Sequence, residues 1–384
     1  MLQHFRNQVL AFPGRFARLF TDLGRAVRLY RTDWGTLLWR LIHLRSRCGI
    51  RPREALQNGL LDPQLPEAAL AATVSKRAMV ELQGRVNPER LDCLTEDKAI
   101  FYAYCGSLGL PIPRLLGIAA RPAGHAADGR PLREAADWES FAAGLPDEFV
   151  VKPSQGFYGR GVEVFTRDGG DFIGSSSGRH AMEDMGAAFF TDPGFSAFVI
   201  QERLRAHPAL QELSGSPNIQ TVRIVTEVDE LGTCRIIFAV LRIITGDLVI
   251  DNFDGGRTGN LLSCVDPAGG SLEFALAPAP GGIGIDRVSH HPRTGLPFKD
   301  FRVPDWEAAC ALAKRAAILF LPMRTLGWDI ALTTRGPRII ETNRRWDPCN
   351  VLPLYGHRPA MTEGIIDLIA KLRKAPRQRR LRLS

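Results

Sequence analysis

From Phe16 onward the apolar positions Leu19, Phe20, Leu23, Val27 and Tyr30 recur at helical spacing, while Arg15, Arg18, Arg25 and Arg28 mark another face. A second stripe at Trp34, Leu37, Leu38 and Leu41 continues the pattern, so residues 1–85 read as a mostly helical, basic appendage. Such helices either pack on the body with solvated arginines or dock on a membrane surface or a partner. A helix is predicted over residues 97–109, ending at a glycine. The turn Leu110-Pro-Ile-Pro-Arg114 then leads into an apolar strand at 115–120. Residues 121–147, rich in Ala, Gly, Pro and charge, read as a variable connection. Strands are expected at 149–152, 161–165, 197–201, 221–228, 234–244, 326–333 and 338–343, and helices at 305–321 and 360–373. No repeat is visible, and the mixed order indicates an α+β architecture.

The 384 residues are 45% apolar, 23% charged and 8% aromatic, which excludes disorder, collagen-like repetition and a disulfide-stapled miniprotein. That length predicts two or three structural units. Residues 1–60 carry eleven Arg against three acids and residues 371–384 carry seven bases and no acid, leaving 31 bases against 38 acids between them. The basic character therefore belongs to the extremities, which argues against a nucleic-acid-binding body. Seven scattered cysteines form no CxxC pair, so neither a disulfide framework nor a zinc site is expected. The N-terminus lacks a continuous apolar core with a cleavage site, and the apolar stretch 308–321 is broken by Lys314 and Arg315. A soluble, cytoplasmic protein is the expectation.

Chemistry concentrates in two places. Residues 149–162 place Lys152 at a strand end and Gly156, Gly159 and Gly161 in the loop after it. Glycine lets backbone N–H groups approach an anion and adopt positive φ, and lysine adds a compact charge, so this reads as a phosphate cradle or else a plain hairpin turn. Neither GxGxxG nor GxxxxGK[ST] occurs. Residues 327–343 read as strand, Gly-Pro turn, strand; a hairpin centred on Arg335 sets Asp329 opposite Glu341, with Asn343 on the same side. Two such carboxylates want a hard divalent ion, Mg²⁺ foremost, unless Arg338, Arg344 or Arg345 neutralises them.

Arg223 and Arg242 sit in otherwise apolar strands and seek either an anionic ligand or a structural carboxylate. The loop 251–260 either closes over phosphates or is a surface turn. His290 and His291 precede a proline and have no identifiable orienting partner for catalysis.

The order of Lys152, the GxxGxG loop and the Asp329/Glu341/Asn343 trio resembles the ATP-grasp superfamily, and more narrowly its sugar-transfer-associated family, related to glutamate-ligase-like proteins. The resemblance spans roughly residues 90–360 and includes Asp97-Lys98, Ile200-Gln-Glu202, Ser216-Pro-Asn-Ile-Gln-Thr-Val-Arg223, His291-Pro-Arg-Thr-Gly295 and Gly327-Trp-Asp329. It implies an ATP-grasp fold, two α+β subdomains gripping ATP, preceded by the helical region 1–85. The small subdomains with the glycine loop would occupy 86–204, the metal-bearing subdomain 205–370, and a basic tail 371–384. It further implies that Lys98 and Lys152 contact ATP phosphates under the 154–161 loop, including Ser154 and Gln155, and that the hinge Gln201, Glu202, Arg203, Leu204 meets adenine. Asp329, Glu341 and Asn343 would hold Mg²⁺, and Arg223 and Arg242 would neutralise the transferred phosphate.

The implied activity is an ATP-dependent ligase that activates a carboxylate as an acylphosphate for an amine or thiol, in polysaccharide or cell-envelope modification. A kinase on the same scaffold, or a non-catalytic ATP-binding subunit anchored by its basic ends to acidic lipid or an acidic partner, are the alternatives. The chain departs from the family pattern in following Asn343 with Arg344-Arg-Trp-Asp347, and the two arginines either face an anionic acceptor or are solvated.

Overall fold

The computed structural model describes residues 12–65, 70, 73–156, 159–188, 194–253, 256–279, 281–347 and 359–376. The basic segment 377–384 and residues 1–11 lie outside them. Alternation of apolar and polar positions from residue 115 onward resolves into antiparallel strands. The first sheet comprises β1 (Leu115–Ala120), β2 (Gly124–Ala126), β3 (Pro131–Leu132), β4 (Glu148–Pro153), β5 (Glu163–Asp168), β6 (Asp171–Gly174), β7 (Gly178–Ala181) and β8 (Ala197–Glu202). Its order is β3-β2-β1-β8-β4-β5-β6-β7. The second comprises β9 (Thr221–Val228), β10 (Cys234–Ile243), β11 (Leu261–Cys264), β12 (Ala275–Pro278), β13 (Ile285–Val288), β14 (Thr325–Thr333) and β15 (Gly336–Asn343), in the order β13-β12-β11-β10-β9-β14-β15.

Helices cover one face of each sheet, and in the second sheet two further helices cover part of the other face, beside Val225 and Val240. Helix Trp306–Leu319 lays Ala309, Ala313, Ala316 and Ala317 on Val222, Ile224, Trp328 and Ile330; small side chains let the helix axis approach the strands closely. Behind the first sheet, Trp138 and Phe141 of helix Ala135–Ala143 cover Phe149, Phe165 and Phe172. Residues 121–147 are therefore ordered structure, two short strands and a helix, where composition alone suggested a connection. Trp138, Phe141, Ala142 and Leu145 stand at i, i+3, i+4 and i+7, a helical signal that the Gly- and Pro-bearing flanks of this stretch hid.

N-terminal helices Phe12–Leu29, Trp34–Cys48 and Pro52–Gln57 gather Leu23, Ala26, Leu37, Leu44 and Leu56 into a cluster of their own. Helices Lys76–Gln83 and Pro359–Lys374 pack together over β10 and β11 through Met79, Leu82, Ile365, Leu368 and Leu372. Asn87 fastens this layer to the second sheet: its Nδ2 donates to Thr325 O at 2.7 Å, and its Oδ1 accepts from the N–H groups of Arg324 and Thr325. Among the described residues no helix is long and apolar enough to cross a membrane, and the six described cysteines are free.

Candidate active site

Register across the second sheet determines which side chains meet. Val240 of β10 pairs with Arg223 of β9, Arg223 with Asp329 of β14, and Asp329 with Glu341 of β15, so one transverse row carries three charged groups on one face. The turn itself is Thr333↔Gly336, and from there to Ile330↔Ile339 the pairing would bring Asp329 opposite Ile340. A bulge between Asp329 and Ile330 inserts one residue and restores the Asp329↔Glu341 pair. Without it every side chain from Glu341 onward would point to the opposite face. The carbonyl of Ile340, the extra residue, accepts the Tyr102 hydroxyl at 2.8 Å.

Asp329 is buried and doubly gripped. Arg223 donates from Nε and Nη2 to its two oxygens at 2.6 and 2.7 Å, and Arg242 Nη1 donates to Oδ2 at 3.1 Å. Burial opposes ionisation, but the two guanidiniums overcome it and hold the Asp329 carboxyl well below its ordinary range. Glu341 is pushed the other way, by burial first and then by the Asp329 charge, and its hydrogen bond with Asp329 favours the protonated form. Lys98 Nζ stands 3.9 Å from Glu341 and donates to Gly156 O at 3.2 Å. The acid pair is thus neutralised by Arg223, Arg242 and Lys98. Arg344 and Arg345, just past the end of β15, border the cavity but pair with Asp92, Arg345 also with Glu96.

Opposite this row, β4 brings Lys152, alternate to Val151 of the core and on the same face as Val150. Its Nζ donates to Tyr102 Oη at 2.6 Å, so the two sheets are joined through Lys152, Tyr102 and the Ile340 carbonyl. Burial, reinforced by the Lys98 charge, lowers Lys152 to about 7. Ser154 and Gln155 act one step back: both donate to Asp97, the N-cap of helix Lys98–Ser107, and so fix where Lys98 begins. Gly159 has φ +74° and a Cβ there would lie 2.7 Å from Ile250 Cδ1; Gly161 has φ +72° and would strike Pro153. The glycine loop therefore lies against the segment that leads to Asp251, whose carboxylate accepts from Thr221 N and Oγ1 at 2.6 Å.

Both sheets wall a cavity of about 730 Å³. It is lined by Lys98, Lys152, Gly156, Gly159, Gln201, Leu204, Arg223, Arg242, Asp329, Glu341 and Asn343. Across β8, β4 and β5, Gln201, Val150 and Val164 form a row at one end, with Leu204 and Ile340 nearby in the lining. Gln201 Oε1 is buried without a partner. Glu202, one residue on, faces away: it accepts from Arg114 N and Arg335 Nη2 and does not line the cavity. Gly161, Ser154 and Gln155 are likewise outside the lining. Arg53, Gln57 and Lys76 of the N-terminal region reach its far end.

His291 is buried with Nε2 2.9 Å from Ile244 O and Nδ1 facing the Arg293 N–H, and His290 is exposed beside Ser289; neither touches the cavity. Tyr102 and Thr221 are participants the sequence did not single out, while Asp251 opens the loop 251–260 and lines the cavity. The polar atoms of Tyr102 in an otherwise apolar helix face were the one available signal for it.

Asp329, Glu341 and Asn343 form a set of two carboxyls and an amide; among the described residues no cluster of three His, Cys, Asp or Glu is gathered as a metal cage. The set nevertheless fits a hard cation. Burial and the Asp329 charge raise Glu341, a repulsion that a cation between the two carboxyls would relieve, and the buried Asn343 Nδ2 has no partner, so a half-turn of the amide would present its oxygen instead.

The model of the sugar-transfer-associated ATP-grasp family matches residues 77–354. Comparison with curated proteins returns no match. Among solved structures, the chain is similar to a D-cycloserine synthetase at 14% identity, with 75% of this chain and 73% of that one covered and a TM-score of 0.41. It is similar to a biotin carboxylase β,γ-ATP complex from Campylobacter jejuni at 14% identity, 72% and 46% coverage and a TM-score of 0.40, spanning less than half of that chain. For D-alanyl-alanine synthetase A from Vibrio cholerae the values are 11%, 73%, 65% and 0.40.

Proposed function

Because the chain belongs to the sugar-transfer-associated ATP-grasp family, we propose that it is an ATP- and Mg²⁺-dependent ligase that joins a carboxylate to an amine or thiol. The observation that carries this reading is the Arg223–Asp329–Glu341 row, facing Lys98 and Lys152 across one cavity beneath a glycine loop. The apolar end bounded by Val150, Val164, Leu204 and Ile340 takes adenine, and the unpartnered Gln201 Oε1 accepts its amino group. Lys98 and Lys152 hold phosphate oxygens, and Gly156 and Gly159 let the loop close on them. Asp329, Glu341 and Asn343 hold Mg²⁺, which neutralises charge on the phosphates when bound.

Arg223 and Arg242 balance the charge of the γ-phosphoryl group while a substrate carboxylate oxygen attacks phosphorus and the bond to ADP breaks. An amine or thiol then attacks the acylphosphate carbonyl, and inorganic phosphate leaves. The family's association with sugar transfer points to sugar-linked acceptors in polysaccharide or envelope modification, and Arg53 and Lys76 at the far end of the cavity suit an anionic one.

Phosphate release by the purified protein, screened against amino acids, sugar acids and nucleotide sugars, tests the reading. The expected products are ADP, free phosphate and a new amide or thioester. Phosphate recovered on the acceptor would make the protein a kinase on the same site.

A further inference from the structure

The described residues expose thirteen large apolar side chains, and six of them fall between residues 20 and 42: Phe20, Leu29, Trp34, Leu38, Trp39 and Ile42. Trp39 is 62% exposed and Ile42 65%, more than a soluble helix surface ordinarily shows for such residues. On helix Trp34–Cys48, Leu37 and Leu44 are buried against the helical cluster, so Trp34, Leu38, Trp39 and Ile42 form a second apolar stripe turned outward. Exposed Arg28, Arg31, Arg45 and Arg47 border it, and residues 1–60 together carry eleven Arg against three acids.

The described bases of the other extremity lie close to this helix. Helix Pro359–Lys374 finishes in Lys371, Arg373 and Lys374, and Arg373 is close enough to Cys48, the last residue of the outward-facing helix, for its charge to act on the thiol. The body between carries more acids than bases. An anionic surface would therefore attract this end and repel the rest, fixing one orientation.

We propose that the outer face of helix Trp34–Cys48 docks peripherally on an anionic lipid surface, with Trp34, Leu38, Trp39 and Ile42 in the headgroup region and the neighbouring arginines on lipid phosphates. Apolar insertion and cation attraction act together in such binding, and the helix does not need to span the bilayer. A second copy of this chain suits the face less well, because it would bring two strongly cationic surfaces together.

Flotation of the full chain with phosphatidylglycerol/phosphatidylcholine vesicles, against pure phosphatidylcholine, tests the proposal. Binding to the anionic vesicles is expected, weakened by about 0.5 M salt and by about tenfold or more in the double variant Trp39→Ser/Ile42→Ser. Trp138, Trp306, Trp328 and Trp346 are buried, so a blue shift of tryptophan emission on vesicle addition would report Trp34 and Trp39. Nucleotide binding by the double variant should match the parent, since neither position lines the cavity. Absence of binding to anionic vesicles, equal binding by the double variant, or a lipid-free dimer that the double substitution dissolves would overturn it.

Discussion

Asp329 serves two masters. It is set to hold a cation, yet in the ligand-free site it is the shared counter-charge of Arg223 and Arg242, both nearly enclosed. Removing one member of such a buried cluster leaves uncompensated charge and costs about 3–5 kcal/mol. Asp329→Asn should therefore lower the thermal midpoint as well as abolish turnover, and melting curves will show both. Glu341→Gln is the cleaner probe: burial and the Asp329 charge already favour the neutral form of Glu341, so the amide should fold nearly like the parent and still turn over no ATP.

Lys152 adds a pH signature at the same scale. Its value falls from an ordinary 10.5 to about 7, because burial and Lys98 disfavour its charge. Between those limits the unfolded chain binds more protons than the folded one, so the ligand-free protein gains stability as pH rises through that window. Phosphates arriving beside Lys152 restore its charge, so nucleotide binding near pH 8 should take up a proton. Calorimetry in buffers of different ionisation enthalpy will detect the uptake. The lysine was legible from its place before the glycines. Its depressed value was not, because it depends on burial and on Lys98, which arise only through tertiary packing.

At the scale of elements, the hairpin β14–β15 shows how far pattern reading extends. Counting outward from Arg335 pairs Asp329 with Glu341, and the structure has that pair, but by a route the count did not contain: a turn half a residue earlier, corrected by a bulge. The bulge also exposes the carbonyl that Tyr102 uses. Tyr102→Phe would leave that carbonyl and the Lys152 ammonium without their partner, at a cost of about 1–3 kcal/mol, measurable by denaturant titration. Gly159→Ala would meet both a positive φ and the Ile250 side chain, so it should weaken nucleotide binding. Adding Ile250→Ala should recover only the part due to contact, which a double-mutant cycle in binding calorimetry will separate. The helix at 135–143 carries its own i, i+3, i+4 apolar spacing and was passed over because the Gly- and Pro-bearing segments on either side made the whole stretch read as a loop.

For the whole molecule, charge segregation and the α+β order were readable directly, and the family resemblance supplied the sites that periodicity does not reach. What linear reading did not supply is which segments share the cavity: Lys152, Glu341 and Arg53 are far apart in the chain and meet only because two antiparallel sheets face each other, with the N-terminal helices closing one end. The same gap explains Glu202, named beside Gln201 but turned outward by strand alternation.

The account depends on the two carboxyls and the amide acting as one cation site coupled to nucleotide. Mn²⁺ titrated into the protein with a non-hydrolysable ATP analogue and followed by paramagnetic resonance measures this directly. The prediction is nucleotide-dependent Mn²⁺ binding that weakens by at least about tenfold in Glu341→Gln. Unchanged Mn²⁺ affinity in that variant, with nucleotide still bound, would contradict it.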